Sequence, residues 1–202
     1  MIKVLLAEDM HLIRGALVAL IGMEPDMEVV GQVATGEDAV ARAAELRPEV
    51  VVLDIQMPGR LDGLAAAVEI HAGAPGCGLL MLTSHGRAET LRRALAAGAR
   101  GFVLKDAPPE QLAAAIRRVA AGETVVDPAL AAAALTARPN PLTPRETELL
   151  RMAQDGADPA EIAARCFLSK GTVRNYLGAI VTKLDARNRL DAVRIAVDNG
   201  WL

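Results

Sequence analysis

Residues 50–54 read Val50-Val51-Val52-Leu53-Asp54, and this stretch decides the fold of the N-terminal part of the 202-residue chain. Four consecutive apolar residues, three of them β-branched, do not suit a strand with one wet face, because such a strand alternates apolar and polar positions. A strand apolar at every position is covered on both sides, as in a parallel sheet between two layers of helices. Leu79-Leu80-Met81-Leu82-Thr83 repeats the pattern. Working outward, further strands are predicted at 3–8, 28–33 and 101–104. Helical patterns fall between them, at about 10–22, 36–46, 63–72, 87–97 and 109–121. Five strand–helix units of this size define an α/β doubly wound, five-stranded parallel sheet over residues 1–121.

After Gly122 the pattern changes. Pro128, Pro139 and Pro141 surround an Ala-rich run at 129–137, so 122–141 reads as a linker holding one short helix. Residues 142–202 carry no strand signal. Thr143-Pro144 with Glu146, and Asp158-Pro159 with Glu161, each supply an N-cap, a first-position proline and a capping-box acid. A third helix is predicted from Ser169 and a fourth from Asn188 or Arg189, giving a small all-α, four-helix domain.

Composition narrows the function classes. The chain is 52% hydrophobic and 23% charged, which is globular rather than disordered. No run reaches the roughly 18–20 apolar residues of a membrane span. The N-terminus turns acidic at Glu8-Asp9, too soon for a signal peptide, so a cytoplasmic protein without a membrane partner is expected. Cys77 and Cys166 lie far apart and read as buried thiols in a reducing compartment. Aromatics are only 2%, which argues against stacking platforms for single-stranded nucleic acid. Net charge is −3 and uneven: residues 1–140 hold 13 basic and 17 acidic side chains, residues 141–202 hold 9 and 8. A nucleic-acid face in the tail must therefore come from clustering, not bulk charge.

In an open α/β sheet, chemistry sits at the carboxyl ends of the strands. The first strand ends in Glu8-Asp9, the third in Asp54, the fourth in Thr83 and the fifth in Lys105. Neighbouring strand-end acids suit a hard divalent cation with oxygen ligands, of which Mg²⁺ is the natural occupant. Lys105 would add a second positive charge and Thr83 a hydroxyl donor to a phosphoryl oxygen. Taken singly, these are ordinary caps, turn residues and strand ends; their combination carries the signal.

With these residues, 1–121 resembles the receiver domain of two-component response regulators, a flavodoxin-like fold. The likeness rests on Glu8-Asp9, Asp54 with Met57-Pro58-Gly59 and Asp62-Gly63, Thr83 and Lys105. It implies that Asp54 accepts a phosphoryl group from a sensor histidine kinase. It also implies Mg²⁺ held by Asp9, Asp54 and the Gln56 carbonyl with help from Glu8, and an aromatic switch at Phe102. Such receivers usually read Met-Pro-Gly-x-Asp-Gly; here Met57-Pro58-Gly59-Arg60-Leu61-Asp62-Gly63 is one residue longer. Dehalogenase-type phosphatases also use a strand-end Asp with Mg²⁺. They need a second carboxylate two positions on, where this chain has Gln56, and a cap domain for which there is no room. The chain is thus expected to be no enzyme beyond self-phosphorylation and slow autodephosphorylation at Asp54.

In the tail, Ile162, Ala163, Leu168, Val173 and Leu177 are placed to pack two helices together, while Arg174, Asn175 and Gly178 share an outward face. Ser169, Lys170, Thr172, Arg174 and Asn175 suit entry of a helix start into a DNA groove. In isolation they read rather as the solvated face of a small bundle, since helix-turn-helix geometry is not unique to DNA binders. The longer pattern resembles the LuxR-type helix-turn-helix. It comprises Leu142-Thr143-Pro144-Arg145-Glu146, Glu161-Ile162-Ala163, Leu168-Ser169, Gly171-Thr172-Val173-Arg174-Asn175, Lys183-Leu184 and Arg187-Asn188-Arg189. Together the halves resemble the NarL/FixJ class. Asn175-Tyr176-Leu177, Ala186-Arg187-Asn188-Arg189 and Asn199-Gly200-Trp201-Leu202 are similar to the subgroup that controls membrane-lipid desaturases. The resemblance implies a transcription regulator that binds double-stranded promoter DNA and dimerises on phosphorylation, through helices 1 and 5 or through helix 4, strand 5 and helix 5. RNA polymerase is a further expected partner. Arg174 and Asn175 would read bases, and Ser169, Lys170, Thr172 and Lys183 would meet the backbone. Tyr176 and Gly178 depart from the usual His and longer polar side chain.

Overall fold

The computed structural model describes residues 1–84, 86–136 and 140–202. Two compact units form, Met1–Leu135 and Thr136–Leu202, and their division falls inside the segment expected as linker. Ala137, Arg138 and Pro139 of that segment lie outside the described residues.

The first unit runs β1 (Ile2–Ala7), α1 (His11–Gly22), β2 (Met27–Val33), α2 (Gly36–Leu46), β3 (Val50–Asp54), α3 (Gly63–Gly73), β4 (Gly78–Thr83), α4 (Ala88–Ala96), β5 (Gly101–Leu104), α5 (Pro109–Ala120) and α6 (Pro128–Thr136). All pairings between strands are parallel, in the order β2-β1-β3-β4-β5. The apolar runs now have a direct cause. Val51, Leu53, Leu79 and Met81 face one core with α2, α3 and α4. Val50, Val52, Leu80 and Leu82 face another with α1 and α5. Each central strand thus needs apolar side chains on both faces.

The Ala-rich run does form a helix, α6, whose Leu130 and Ala134 join the core of the first unit. Just before it, Val125 pairs with β5: Phe102 N donates to Val125 O at 2.9 Å and Val125 N to Arg100 O at 2.7 Å.

The second unit consists of α7 (Pro144–Gln154), α8 (Pro159–Cys166), α9 (Lys170–Lys183) and α10 (Arg189–Asp198). Both expected capping boxes are present, Thr143 with Glu146 and Asp158 with Glu161. Each satisfies two of the donors that a helix start leaves unpaired. Leu149, Leu150, Ile162, Val173, Ile180 and Trp201 fill the core. Cys77 and Cys166 are both free and buried, one in each unit. Among the described residues, no helix is long and apolar enough to cross a membrane.

Candidate phosphoacceptor site and helix-turn-helix

The strand order reverses between β1 and β3, so the crevice beyond their carboxyl ends is where such sheets place ligands. Glu8 and Asp9 follow β1, and Asp54 is the last residue of β3. One carboxylate oxygen from each of the three lies within 4.8 Å of the others. Thr83 ends β4 and is buried; Lys105 follows β5, its N–H donating to Thr83 O at 2.9 Å. The sheet therefore brings together all the strand-end residues that the sequence singles out.

The electrostatics are those of a partly neutralised anion cluster. Lys105 Nζ lies 2.7 Å from Glu8 Oε2 and 2.9 Å from Asp54 Oδ2. Burial works against the charge of Lys105, but the hydrogen bonds and charges of Glu8 and Asp54 outweigh it and raise its pKa. Burial raises the Glu8 carboxyl above its ordinary value; Lys105 pulls it down, and the Asp54 charge pushes it up. Glu8 Oε1 accepts from Met10 N at 3.2 Å, and Oε2 holds the Lys105 ion pair. Three hard carboxylate oxygens gathered this closely fit an octahedral Mg²⁺ that keeps several waters. Gln56 N donates to Asp54 Oδ1 at 3.2 Å, which places Gln56 at the rim of the site.

Two contacts escape a linear reading of the chain. Arg14 Nη1 donates to Glu8 O at 2.6 Å and to Asp9 O at 3.4 Å, holding the backbone of the acidic pair from α1. The Arg14 spacing, one helical turn past Met10, was the only available signal. Glu37, at the start of α2, accepts from Arg60 N at 2.7 Å and Leu61 N at 3.2 Å in the lengthened loop. No local pattern marks it.

Phe102 is buried on β5, and Leu104 on the same strand packs with the partly buried Leu130 of α6 against that core.

In the second unit, Ser169 caps α9 by accepting from Thr172 N at 3.0 Å, and its hydroxyl lies 2.8 Å from that of Thr172. Val173, Leu177 and Ile180 are buried while Lys170, Arg174, Asn175 and Gly178 are exposed, so the outward face is as the sequence predicts. A side chain at Gly178 would meet no neighbour within 4 Å. Lys183 is differently placed from the rest: its Nζ lies 2.8 and 2.7 Å from the two carboxylate oxygens of buried Glu146. Two of its three ammonium hydrogens are thereby engaged.

Comparison with known proteins identifies the family of both units. The family model for the response regulator receiver domain matches residues 4–117, and that for bacterial regulatory proteins of the luxR family matches 140–196. The chain belongs to the two-component response regulators that join a receiver to a LuxR-type helix-turn-helix, a class of transcription regulators. It is 42% identical over 201 residues to the transcriptional regulatory protein DesR of Bacillus subtilis, covering 100% of this chain and 99% of the relative. It is 39% identical to the response regulator RamR of Streptomyces coelicolor, covering 100% and 98%. Among solved structures, response regulator ChrA of a heme-sensing two-component system matches at 31% identity and TM-score 0.58, over 100% of this chain and 98% of that one. The DesR likeness supports the subgroup resemblance carried by Asn175-Tyr176-Leu177 and the C-terminal segments.

Proposed function

We propose that Asp54 accepts a phosphoryl group from a sensor histidine kinase and thereby controls binding of α9 to promoter DNA. The observation that carries this reading is the carboxylate cluster of Glu8, Asp9 and Asp54 with Lys105 Nζ at 2.9 Å from Asp54. An Asp54 carboxylate oxygen attacks phosphorus; the bond from phosphorus to the phosphohistidine nitrogen breaks, and the imidazole leaves with the electron pair. The product is an acylphosphate. Asp9 and Asp54, with the Gln56 carbonyl and help from Glu8, would hold Mg²⁺. When bound, the ion neutralises charge gathering on the phosphoryl oxygens. Lys105 exchanges its pairing with Asp54 for a phosphoryl oxygen, and Thr83 supplies a hydroxyl donor. Phe102 serves as the aromatic switch.

At the other end, Arg174 and Asn175 face base edges, and the α9 amides with Ser169, Lys170 and Thr172 meet phosphates. Lys183 reaches a phosphate only with the hydrogen that Glu146 leaves free. The regulator acts in the cytoplasm, dimerises on phosphorylation and meets RNA polymerase at its promoters. Incubation of the full chain with acetyl phosphate and Mg²⁺ tests the reading. It predicts slow, stoichiometric acylphosphate at Asp54. Absence of modification would leave the receiver as an unphosphorylated dimerisation module, and rapid turnover would make it a phosphatase.

A further inference from the structure

We propose that Glu37 is a positioning residue for the phosphoryl chemistry, holding the lengthened loop after Asp54 so that Gln56 keeps its place at the Mg²⁺ site. The inference rests on the assignment of Asp54 and deepens it.

The loop leaves the sheet at Asp54 and returns at Gly63. Its base is tight: Gly63 N donates to Ile55 O at 3.0 Å, and a side chain at Gly63 would collide with the Asp54 carbonyl. Between these points the chain must accommodate one residue more than the usual six-residue motif. That surplus lies at Arg60-Leu61, whose successive amides both point at Glu37 Oε1, at 2.7 and 3.2 Å. Consecutive backbone N–H groups of this kind form an anion-binding nest. Here the anion is a side chain of the neighbouring helix.

The fit is close on every side. Gly59 has φ of 116°, and a Cβ there would stand 2.7 Å from Glu37 Oε2. The Leu61 carbonyl packs on Gly36, where a side chain would displace it. Glu37 Oε2 is buried and, among the described residues, has no hydrogen-bond partner, so the carboxylate is committed to the loop rather than to solvent. Hydrogen bonds from its own backbone and from Arg60 hold its pKa below the ordinary value, so it stays charged. The clamp thus fixes the tip of the loop as Gly63 fixes its base. Gln56, whose N–H already bonds Asp54 Oδ1, sits on the stretch between them.

Outer groups that orient metal ligands typically contribute roughly 10–100-fold in metal affinity. Calorimetric titration of the full chain with Mg²⁺ alone therefore tests the proposal. Glu37→Ala should weaken Mg²⁺ binding by roughly tenfold. Glu37→Gln keeps an oxygen acceptor for both amides and should stay close to the parent. In a chain lacking Arg60, where the surplus is gone, Glu37→Ala should cause no further loss. An unchanged affinity in Glu37→Ala overturns the proposal. So does an equal loss in the shortened chain, or in Glu37→Gln, since either would assign the effect to charge at the start of α2. If the shortened chain does not fold, the Ala and Gln variants alone decide. Failure of the parent chain to form acylphosphate at Asp54 would instead refute the phosphoacceptor assignment, a separate outcome.

Discussion

Lys105 and Asp54 form a buried ion pair at 2.9 Å, and the same ammonium meets Glu8 at 2.7 Å. One cation therefore balances two carboxylates that the sheet forces together. Replacing it should expose how much the site depends on positive charge. Lys105→Met leaves Glu8 and Asp54 without the counter-charge they share, and removing one member of a buried pair costs about 3–5 kcal/mol. The sign with pH follows from Glu8, whose folded pKa lies above its ordinary value of 4.5. Its charged form is the unfavourable one, so the deficit is largest at neutral pH and shrinks as pH falls through that raised value. Thermal unfolding across pH, with and without Mg²⁺, measures this; added Mg²⁺ should recover part of the loss. A deficit that grows on acidification would contradict it.

Asp9 contributes the third carboxylate of the cluster and is the proposed Mg²⁺ ligand outside the Lys105 ion pairs. Asp9→Ala should weaken Mg²⁺ binding markedly, because a cation that retains several waters has few protein ligands to spare. An unchanged Mg²⁺ titration would show that the ion binds elsewhere.

Most of the fold was legible from the sequence, because the signals were local. Consecutive apolar residues at 50–53 require two covered faces, and Thr143 and Asp158 begin helices that are capped as expected. The strand-end residues were legible for the same reason: each ends its strand or comes just after it. Contacts between distant segments were not. Glu146 reads as a capping-box acid, which it is, yet it also pairs with Lys183, 37 residues away. Glu37 and the loop amides stand 23 and 24 residues apart. The linker pattern gave no hint that Val125 would pair with β5, since a single extended residue has no periodicity.

Glu146 gives the second pH prediction. Burial works to raise its pKa, but Lys183 and Thr143 outweigh this and hold it below the ordinary 4.5. Its contribution is therefore present above that ordinary value and lost as pH falls through the lower folded one. Glu146→Ala removes a charged hydrogen-bonding group and a cap, so a loss of about 2 kcal/mol at neutral pH is expected. Trp201, the single tryptophan, is buried in the same core and reports unfolding of this unit by fluorescence. The difference from the parent should vanish in acid; a constant difference would rule out the ionised carboxylate as its source.

DNA readout should separate by residue. A bidentate base contact contributes about 1–3 kcal/mol of discrimination, whereas a lost phosphate contact weakens all sequences and lowers the salt slope by about one. Arg174→Ala should relax sequence preference. Lys170→Ala should weaken binding uniformly. Lys183→Ala should weaken binding less than Lys170→Ala and also destabilise the domain through Glu146. Selections on randomised DNA at two salt concentrations resolve these cases. Full sequence preference in Arg174→Ala would make Arg174 a phosphate contact.

The central claim is that phosphorylation of Asp54 controls DNA binding, and it is tested most directly by affinity for selected DNA before and after treatment with acetyl phosphate and Mg²⁺. Pairing two helix-turn-helix modules on a two-fold site raises avidity by roughly 10²–10⁴. The parent chain should gain affinity on that scale and sediment as a larger species, while Asp54→Asn, folded but unlabelled, should gain nothing. An equal gain in Asp54→Asn, or a fully acylphosphorylated parent that stays monomeric and binds no better, would contradict the account.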